Sequence, residues 1–414
     1  MAIPSNVMKD ASGEKHPSLP SPQKTKITIG IMIIALLSYA IMTTAGLKNT
    51  MTMWVGLLLG ITLFHARFGF TSAFRRLMSV GNGQAMRAHM IMMAVACTLF
   101  APILSMGLGF FGNDPSGYVS PVGTSVVVGA FIFGIGMQLG GGCASGTLYA
   151  VGGGRTAMFV TLLAFIVGSV LGAWHWNFWV NETPSFPAIS LATSTDLGYV
   201  GAWAVQIILF GLIFGAAYYF DKKRTPPVIK PVPSEKGWVR ILRGSWPLWV
   251  AAILLAVFNA LTLLVRGTPW GVTSAFALWG SKIAMFFGID VTEWVYWSGE
   301  RAASLDQSVL MHSTSVLDFG VILGAFLAST AGGIFTLRKI GLKRISAAVI
   351  GGILMGYGSR IAFGCNIGAY FGGIASFSLH GWVWMIMALA GTFLALYLRP
   401  LFGMSVPKPK DTFC

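Results

Sequence analysis

The chain has 414 residues, 55% hydrophobic and only 10% charged, with a mean hydropathy of +0.72. A soluble domain carries roughly a quarter charged residues, so a soluble fold is excluded, and repeated continuous apolar runs of about 20 residues define a polytopic helical membrane protein rather than an alternating β-barrel. The net charge of +15 fits the positive-inside bias of an inner-membrane protein, with a share left to draw anions toward a basic vestibule.

Basic residues lie in short loops, which gives nucleic-acid binding no support. Four cysteines, at 97, 143, 365 and 414, form no CxxC and no disulfide framework. The six histidines lack metal-ligand spacing, and no phosphate-binding loop is present. No metal, cofactor or ATP-driven step is expected of this chain.

Residues 1–26 are polar, with Pro4, Pro17, Pro20 and Pro22, and read as a flexible cytoplasmic tail. Span 1 is Ile27 to Leu47, retained rather than cleaved as a signal peptide. Span 2 runs from Met51 to about Phe64 and continues past Arg67 into GFTSAFRRLM; Arg75, Arg76 and Arg87 put that end inside. Span 3 is about His89 to Phe110, and Asp114 marks the loop after it as external. Span 4 starts at Val122 and breaks after Leu139, span 5 is Ala157 to Trp176, and span 6 is Tyr199 to Phe220. Residues 221–247, with five prolines and seven Lys or Arg, form a cytoplasmic linker between the halves.

Span 7 is Leu248 to Val265, continuing past Arg266 into GVTSAFALWG. Asp290, Glu293, Glu300 and Asp306 mark the outside. Span 8 is Ser313 to Leu337, span 9 is Ile345 to about Phe363, and span 10 is Gly381 to Leu398. Arg399, Lys408 and Lys410 keep the 404–414 tail cytoplasmic, as is the N-terminus.

One stretch occurs twice. GAFIFGIGMQLGGGCASGTLY, Gly129 to Tyr149, matches GGILMGYGSRIAFGCNIGAYF, Gly351 to Phe371, without a gap at an offset of 222 residues, the separation of Cys143 from Cys365. GFTSAF, Gly69 to Phe74, recurs as GVTSAF, Gly271 to Phe276. About five spans per copy is an odd number, so residues 27–198 and 199–403 are read as two repeats of opposite topology. Inverted repeats with interrupted helices place a pathway near the membrane midplane.

Gly140-Gly141-Gly142 weakens span 4 and Gly364 weakens span 9. Unwound backbone at membrane depth belongs where it is buried in protein or lines a cavity. Helices restarting at Ala144 and Asn366 aim free N–H groups and a positive dipole end at that cavity. Ser145, Thr147 and Asn366 are expected to add donors, Thr71, Ser72, Thr273 and Ser274 are further candidates, and Arg155 and Arg360 lie near the cysteines. The competing reading of the glycines is close helix packing, and of the two arginines, anchoring of helix ends. Gln138 and Asp318 read as packing donors, Cys97 as a buried hydrophobe, and Cys414 as part of a disordered end. No well-placed group for proton coupling stands out.

A thiol is a soft, weak hydrogen-bonding surface, suited to a substrate with an exposed sulfur or selenium atom. It has to remain protonated there, because a thiolate repels anions. At these residues the chain resembles the YeeE/YedE family of bacterial inner-membrane sulfur transporters, whose characterised members take up thiosulfate. The resemblance spans about Met51 to Phe402, and its most specific parts are the two GC motifs and RFGFTSAFRRL, Arg67 to Leu77. It implies an inverted-repeat bundle with short embedded helices and a waisted path in which Cys143 and Cys365 contact the passing anion.

Thiosulfate-transporting relatives carry a third cysteine in a motif like RFCF; here that position is Gly69. GCNIGAYFGGIASFSLHGW is more similar to the YedE branch, associated with selenium metabolism. The expected substrate-binding set is Gly69, Thr71, Gly142, Cys143, Ala144, Ser145, Arg155, Thr273, Arg360, Gly364, Cys365 and Asn366, with no catalytic residue. Uptake of thiosulfate or a related anion across the bilayer is the expected function. A selenium compound on the same path is the first alternative, and a membrane sulfurtransferase working through a cysteine persulfide the second. No sulfur-carrier domain is expected at either end, so any cytoplasmic acceptor is expected to be a separate protein.

Overall fold

A computed structural model describes residues 7–9, 15–17, 19–229 and 237–414. Much of the expected tail, Pro4 included, and the Lys230 and Lys236 part of the linker lie outside the described residues. Two short antiparallel ribbons occur, β1 (Val7–Lys9) with β2 (Lys15–Pro17) and β3 (Pro121–Gly123) with β4 (Ser185–Ala188). The rest is helical. In chain order the helices are α1 (Lys24–Ala66), α2 (Phe70–Val80), α3 (Gln84–Ser105), α4 (Thr124–Gly140), α5 (Ala144–Gly152), α6 (Thr156–Trp174), α7 (Gly198–Arg224) and α8 (Gly237–Arg243). They continue with α9 (Leu248–Arg266), α10 (Thr273–Phe286), α11 (Ala303–Asp306), α12 (Ser313–Ala331), α13 (Leu342–Ile361), α14 (Gly373–Ala375) and α15 (Leu379–Leu398).

Among the described residues, eight helical stretches are long and apolar enough to cross a membrane, or nine if Leu342–Ile361 and Asn366–Ala375, bent by 44°, count as one broken span. The stretch Lys24–Val80 holds the first two expected crossings. Its helix α1 has 43 residues, which at 1.5 Å each is about 65 Å, twice the bilayer's hydrocarbon depth. The chain folds back at Gly46, whose φ of 76° leaves the helical region. Asn49 Nδ2 donates to the carbonyls of Leu310 and Met311 at the head of α12. Gly30 on one arm then faces Phe326 and Leu327, and Gly60 on the other faces Val321, further along the same helix.

Several boundaries differ from the sequence reading, span 3 running from Gln84 to Ser105 rather than from about His89 to Phe110. Span 2 does not run on into GFTSAFRRLM: Arg67 takes a left-handed φ of 48° and a separate helix, α2, begins at Phe70. Span 7 likewise ends at Gly267 (φ 82°), and α10 starts only at Thr273. The eighth span stops at Ala331 rather than Leu337, because Gly333 (φ 71°) turns the chain. The end of the tail is anchored, since Gln23 N donates to Thr330 O and Arg243 Nη2 to Pro20 O. Cys414, expected to be disordered, is half-buried and donates from Sγ to Pro227 O at 3.1 Å.

The glycines serve packing more than pore formation. Gly56 and Gly60 on α1 face Leu317 O and Val321 O on α12, while Gly320 and Gly324 on α12 face Met53 O and Leu57 O. A Cβ at any of these four would collide with a backbone carbonyl. Gly134 and Gly391 do the same between α4 and α15, and Gly168 and Gly356 between α6 and α13. Such close approach is how helices associate where water supplies no hydrophobic drive. The main packing partners are α1 with α12, α3 with both α7 and α9, α6 with α13, and α4 with both α13 and α15. The periphery is apolar: Leu36 and Tyr39 on the first arm and Val200, Ile208 and Leu212 on α7 are largely exposed and face lipid.

Candidate functional site

The two cysteine motifs form matching breaks. At the first, α4 ends at Gly140, Gly141 turns the chain with φ 84°, and extended Cys143 caps α5. Cys143 Sγ accepts from Gly146 N at 3.4 Å and lies 3.5 Å from Ser145 Oγ. Thr147 is occupied elsewhere, donating to Cys143 O at 2.8 Å. At the second, α13 ends at Ile361, Phe363 (φ 56°) and Gly364 (φ 149°) turn the chain, and extended Cys365 caps a π-helical segment, Asn366–Gly372. Cys365 Sγ accepts from Ile367 N at 3.4 Å. The restarts expected at Ala144 and Asn366 are where the sequence placed them, and α5 touches the Asn366–Gly372 segment.

Each break borders its own cavity. One, of about 230 Å³, is lined by Cys143, Gly142, Gly69, Thr71 and Arg155, together with Arg67, Arg75, Arg76 and Tyr149. Thr71 Oγ1 is buried there without a partner, whereas Arg75 Nη1 donates to Gln138 Oε1 at 3.3 Å. A larger basic cavity of about 530 Å³ shares Arg67, Tyr149 and Arg155 with it and adds Arg338, Lys339 and Arg344. The density of cations around this end favours anions over cations or neutral solutes.

The other cavity, of about 260 Å³, is lined by Gly364, Gly368, Gly271, Thr273, Ser274 and Arg360, with Tyr118, Trp176, Tyr296 and Arg301. Arg360 is 6% exposed. It donates from Nη1 to Tyr296 OH and from Nη2 to Thr273 Oγ1 at 3.0 Å, and its Nε has no protein partner. The Arg301 guanidinium sits 4.8 Å from the Tyr296 ring centre. His312 caps α12 nearby; burial, with help from Arg266 and Arg360, lowers it to about 4.

The expected site is therefore two sites. Gly69, Thr71, Gly142, Cys143 and Arg155 meet in one cavity, and Thr273, Arg360 and Gly364 in the other; the two share no lining residue. Cys365, 1% exposed, adjoins Gly364 but does not line its cavity, and Ala144, Ser145 and Asn366 are fully enclosed beside the two thiols. Cys97 stands apart, its Sγ donating to Gln206 Oε1 at 3.0 Å between α3 and α7. Sequence reasoning missed Arg67, Arg75 and Arg76 as lining residues, having used the last two as topology markers. It also missed Tyr118, Tyr296 and Arg301, which arrive from loops with no motif. Among the described residues no three His, Cys, Asp or Glu side chains are placed to share a metal ion.

The chain is 25% identical over 355 residues to the thiosulfate transporter TsuA of Escherichia coli (strain K12), covering 83% of this chain and 94% of that one. It is 27% identical over 362 residues to the thiosulfate transporter TsuA of Spirochaeta thermophila, covering 83% and 97%. The probable transporter YedE of Escherichia coli (strain K12) is 33% identical over 168 residues, 40% of this chain and 41% of that one. The profile of the sulphur transport family matches residues 65–394. A multi-span helical protein with this match across most of its length belongs to the sulphur transport family, whose members are transporters rather than enzymes.

Proposed function

We propose that this chain is an inner-membrane transporter that takes up thiosulfate or a closely related chalcogen anion along a path past Cys143 and Cys365. Both termini lie in the cytoplasm, and the anion moves inward from the cavity holding Arg360 and Arg301 to the one holding Arg67 and Arg155. The observation that carries this reading is a pair of matched thiols, each capping a restarted helix, with Cys143 lining one cavity with fixed cations and Cys365 next to Gly364, which lines another. Both full-length relatives are named for thiosulfate.

The mechanism follows from charge and softness. An anion loses hydration on entry, and Arg360, held by Thr273 and Tyr296 with Nε free, replaces part of it. A terminal sulfur then meets neutral thiol groups and helix N-termini, contacts weak enough to release it. The arginines of the opposite cavity receive it. A separate cytoplasmic sulfur acceptor would collect the anion from the basic vestibule around Arg338, Lys339 and Arg344.

Two inverted repeats, 27–198 and 199–403, underlie this arrangement. The packing supports the reading, because exchanging the halves turns α1 on α12 into α9 on α3, and α6 on α13 into α15 on α4. The lining residues support it as well: Gly69, Thr71, Gly142 and Gly146 on one side correspond in motif to Gly271, Thr273, Gly364 and Gly368 on the other.

Labelled thiosulfate uptake into proteoliposomes tests the proposal. Cys143→Ala and Cys365→Ala should each lose most of it, and uptake equal to wild type in both rejects the thiol role. The similarity to YedE supports a second reading, a selenium compound on the same path. A panel of thiosulfate, sulfite, sulfate and selenite separates the two.

A further inference from the structure

Among the described residues, Asp318 is a fully buried carboxylic acid that the anion path leaves unexplained. It sits in the second turn of α12, inside the membrane-spanning bundle, and is 0% exposed. Both carboxyl oxygens are buried without a hydrogen-bond partner, so it does not act as the packing group that its sequence context suggested. An ionised carboxylate so placed carries a large desolvation cost, and a protonated one carries little. Taking up and giving up a proton is therefore the chemistry open to this side chain.

Its surroundings join it to the anion path. One turn earlier, Thr314 Oγ1 accepts from Arg266 Nη2 at 2.9 Å, and Ser313 Oγ accepts from Arg266 Nε at 3.1 Å. Arg266 and the Cys365 thiol both lie within electrostatic reach of Asp318. Lys48 of α1 lies near Arg266, and Arg266 and Arg360 of α13 lie near His312 at the head of α12. From other helices on α12, Lys282 of α10 is turned to the carbonyls of Leu305 and Gln307, Arg243 of α8 binds Ala331 O at the far end, and Tyr149 of α5 belongs to the opposite cavity, each engaged away from this turn.

From this geometry we infer that Asp318 is a proton-carrying residue that couples anion entry to proton entry, making the protein a proton–anion symporter. A divalent anion entering a negatively polarised cell moves against the potential, and each accompanying proton cancels one charge. Asp318 takes a proton from solvent on the side where Arg266 lies when the anion occupies the cavity holding Arg360. It returns that proton to water when the anion leaves past Cys365; no bond other than O–H changes. Arg266, one turn away, limits the cost of the ionised state between the two events.

This rests on the anion-transport reading above, and the experiment separates the two. Purified full-length protein in proteoliposomes is assayed for labelled thiosulfate counterflow without a gradient, and for accumulation under an imposed inward proton gradient. Wild type should show counterflow and accumulate several-fold more label with the gradient than without. Asp318→Asn, a neutral isostere of the protonated acid, should keep counterflow and lose the gradient response. Wild type indifferent to the gradient, or Asp318→Asn with a full response, overturns the inference. Should Asp318→Asn lose counterflow as well, Asp318→Glu must restore both activities; its failure also overturns it. Absent counterflow in wild type refutes the transport reading itself, and the inference falls with it.

Discussion

Arg360 Nη2 donates to Thr273 Oγ1 at 3.0 Å, joining the helix before the second cysteine to the repeated TSAF motif. The pair fixes a cation over the cavity with Nε uncommitted, so the arginine is oriented before any anion arrives. Charge-assisted hydrogen bonds contribute about 1.5–3 kcal/mol. Arg360→Ala should therefore raise the KM for uptake roughly 10- to 100-fold. Arg360→Lys should recover part of that, and Thr273→Val, which frees the arginine without removing it, should cost less than either. Concentration-dependent uptake of labelled anion measures all three, and an unchanged KM in Arg360→Ala would show that this cation does not meet the substrate.

Two glycines make opposite demands. Gly60 has ordinary helical backbone but no room, since a Cβ would collide with Val321 O. Gly46 has room, with nothing within 4 Å of a Cβ, but a φ of 76°. Gly60→Ala should thus destabilise by about 1–3 kcal/mol through forced separation of α1 and α12. Gly46→Val and Gly46→Asn should each cost about 1–3 kcal/mol, because φ 76° with ψ −172° is a backbone conformation essentially confined to glycine. Thermal unfolding of the detergent-purified variants checks these costs.

These glycines also mark how far the sequence can be read. Span positions were legible because continuous apolar runs and loop charges are local signals, and the breaks at Gly140–Cys143 and Gly364–Cys365 were legible because glycine and repetition coincide there. The break at Arg67 was not, since a non-glycine at φ 48° is imposed by tertiary packing. The cavity around Cys143 was half visible. Arg75 and Arg76 look like any positive-inside loop residues until α2 is seen to fold back beneath the cysteine break. Packing and pore glycines carry no distinguishing local pattern; only the facing carbonyls tell them apart.

His312 gives a pH signature. Its Nδ1 accepts from Ser315 N at 3.3 Å, a cap that requires the unprotonated atom. Burial, then Arg266 and Arg360, lowers it from 6.5 to about 4. The folded value is below the unfolded one, so its contribution is present above pH 6.5 and is lost as pH falls toward 4, on the order of 2–3 kcal/mol in full. His312→Asn keeps a capping acceptor without titrating. The fall in Tm between pH 6.5 and 4 should be shallower in His312→Asn than in wild type, and parallel curves would refute the assignment.

Gly69 stands where thiosulfate-transporting relatives of the resembled family carry a cysteine, and it lines the same cavity as Cys143. Its backbone is extended, φ −143° and ψ 119°, a conformation any L-residue adopts. A Cβ would meet Ser72 Oγ at 3.1 Å, a side-chain tip that a rotamer change can move, and Tyr149 OH at 3.8 Å. Gly69→Cys should therefore fold with a Tm within about 3 °C of wild type, a change of under roughly 1 kcal/mol. It would place a third thiol in the cavity that Cys143 lines, on the path proposed above. Uptake of thiosulfate relative to selenite should rise in this variant, measured side by side in the same vesicles. A ratio unchanged from wild type, with the variant folded, would show that the third thiol has no part in choosing the anion.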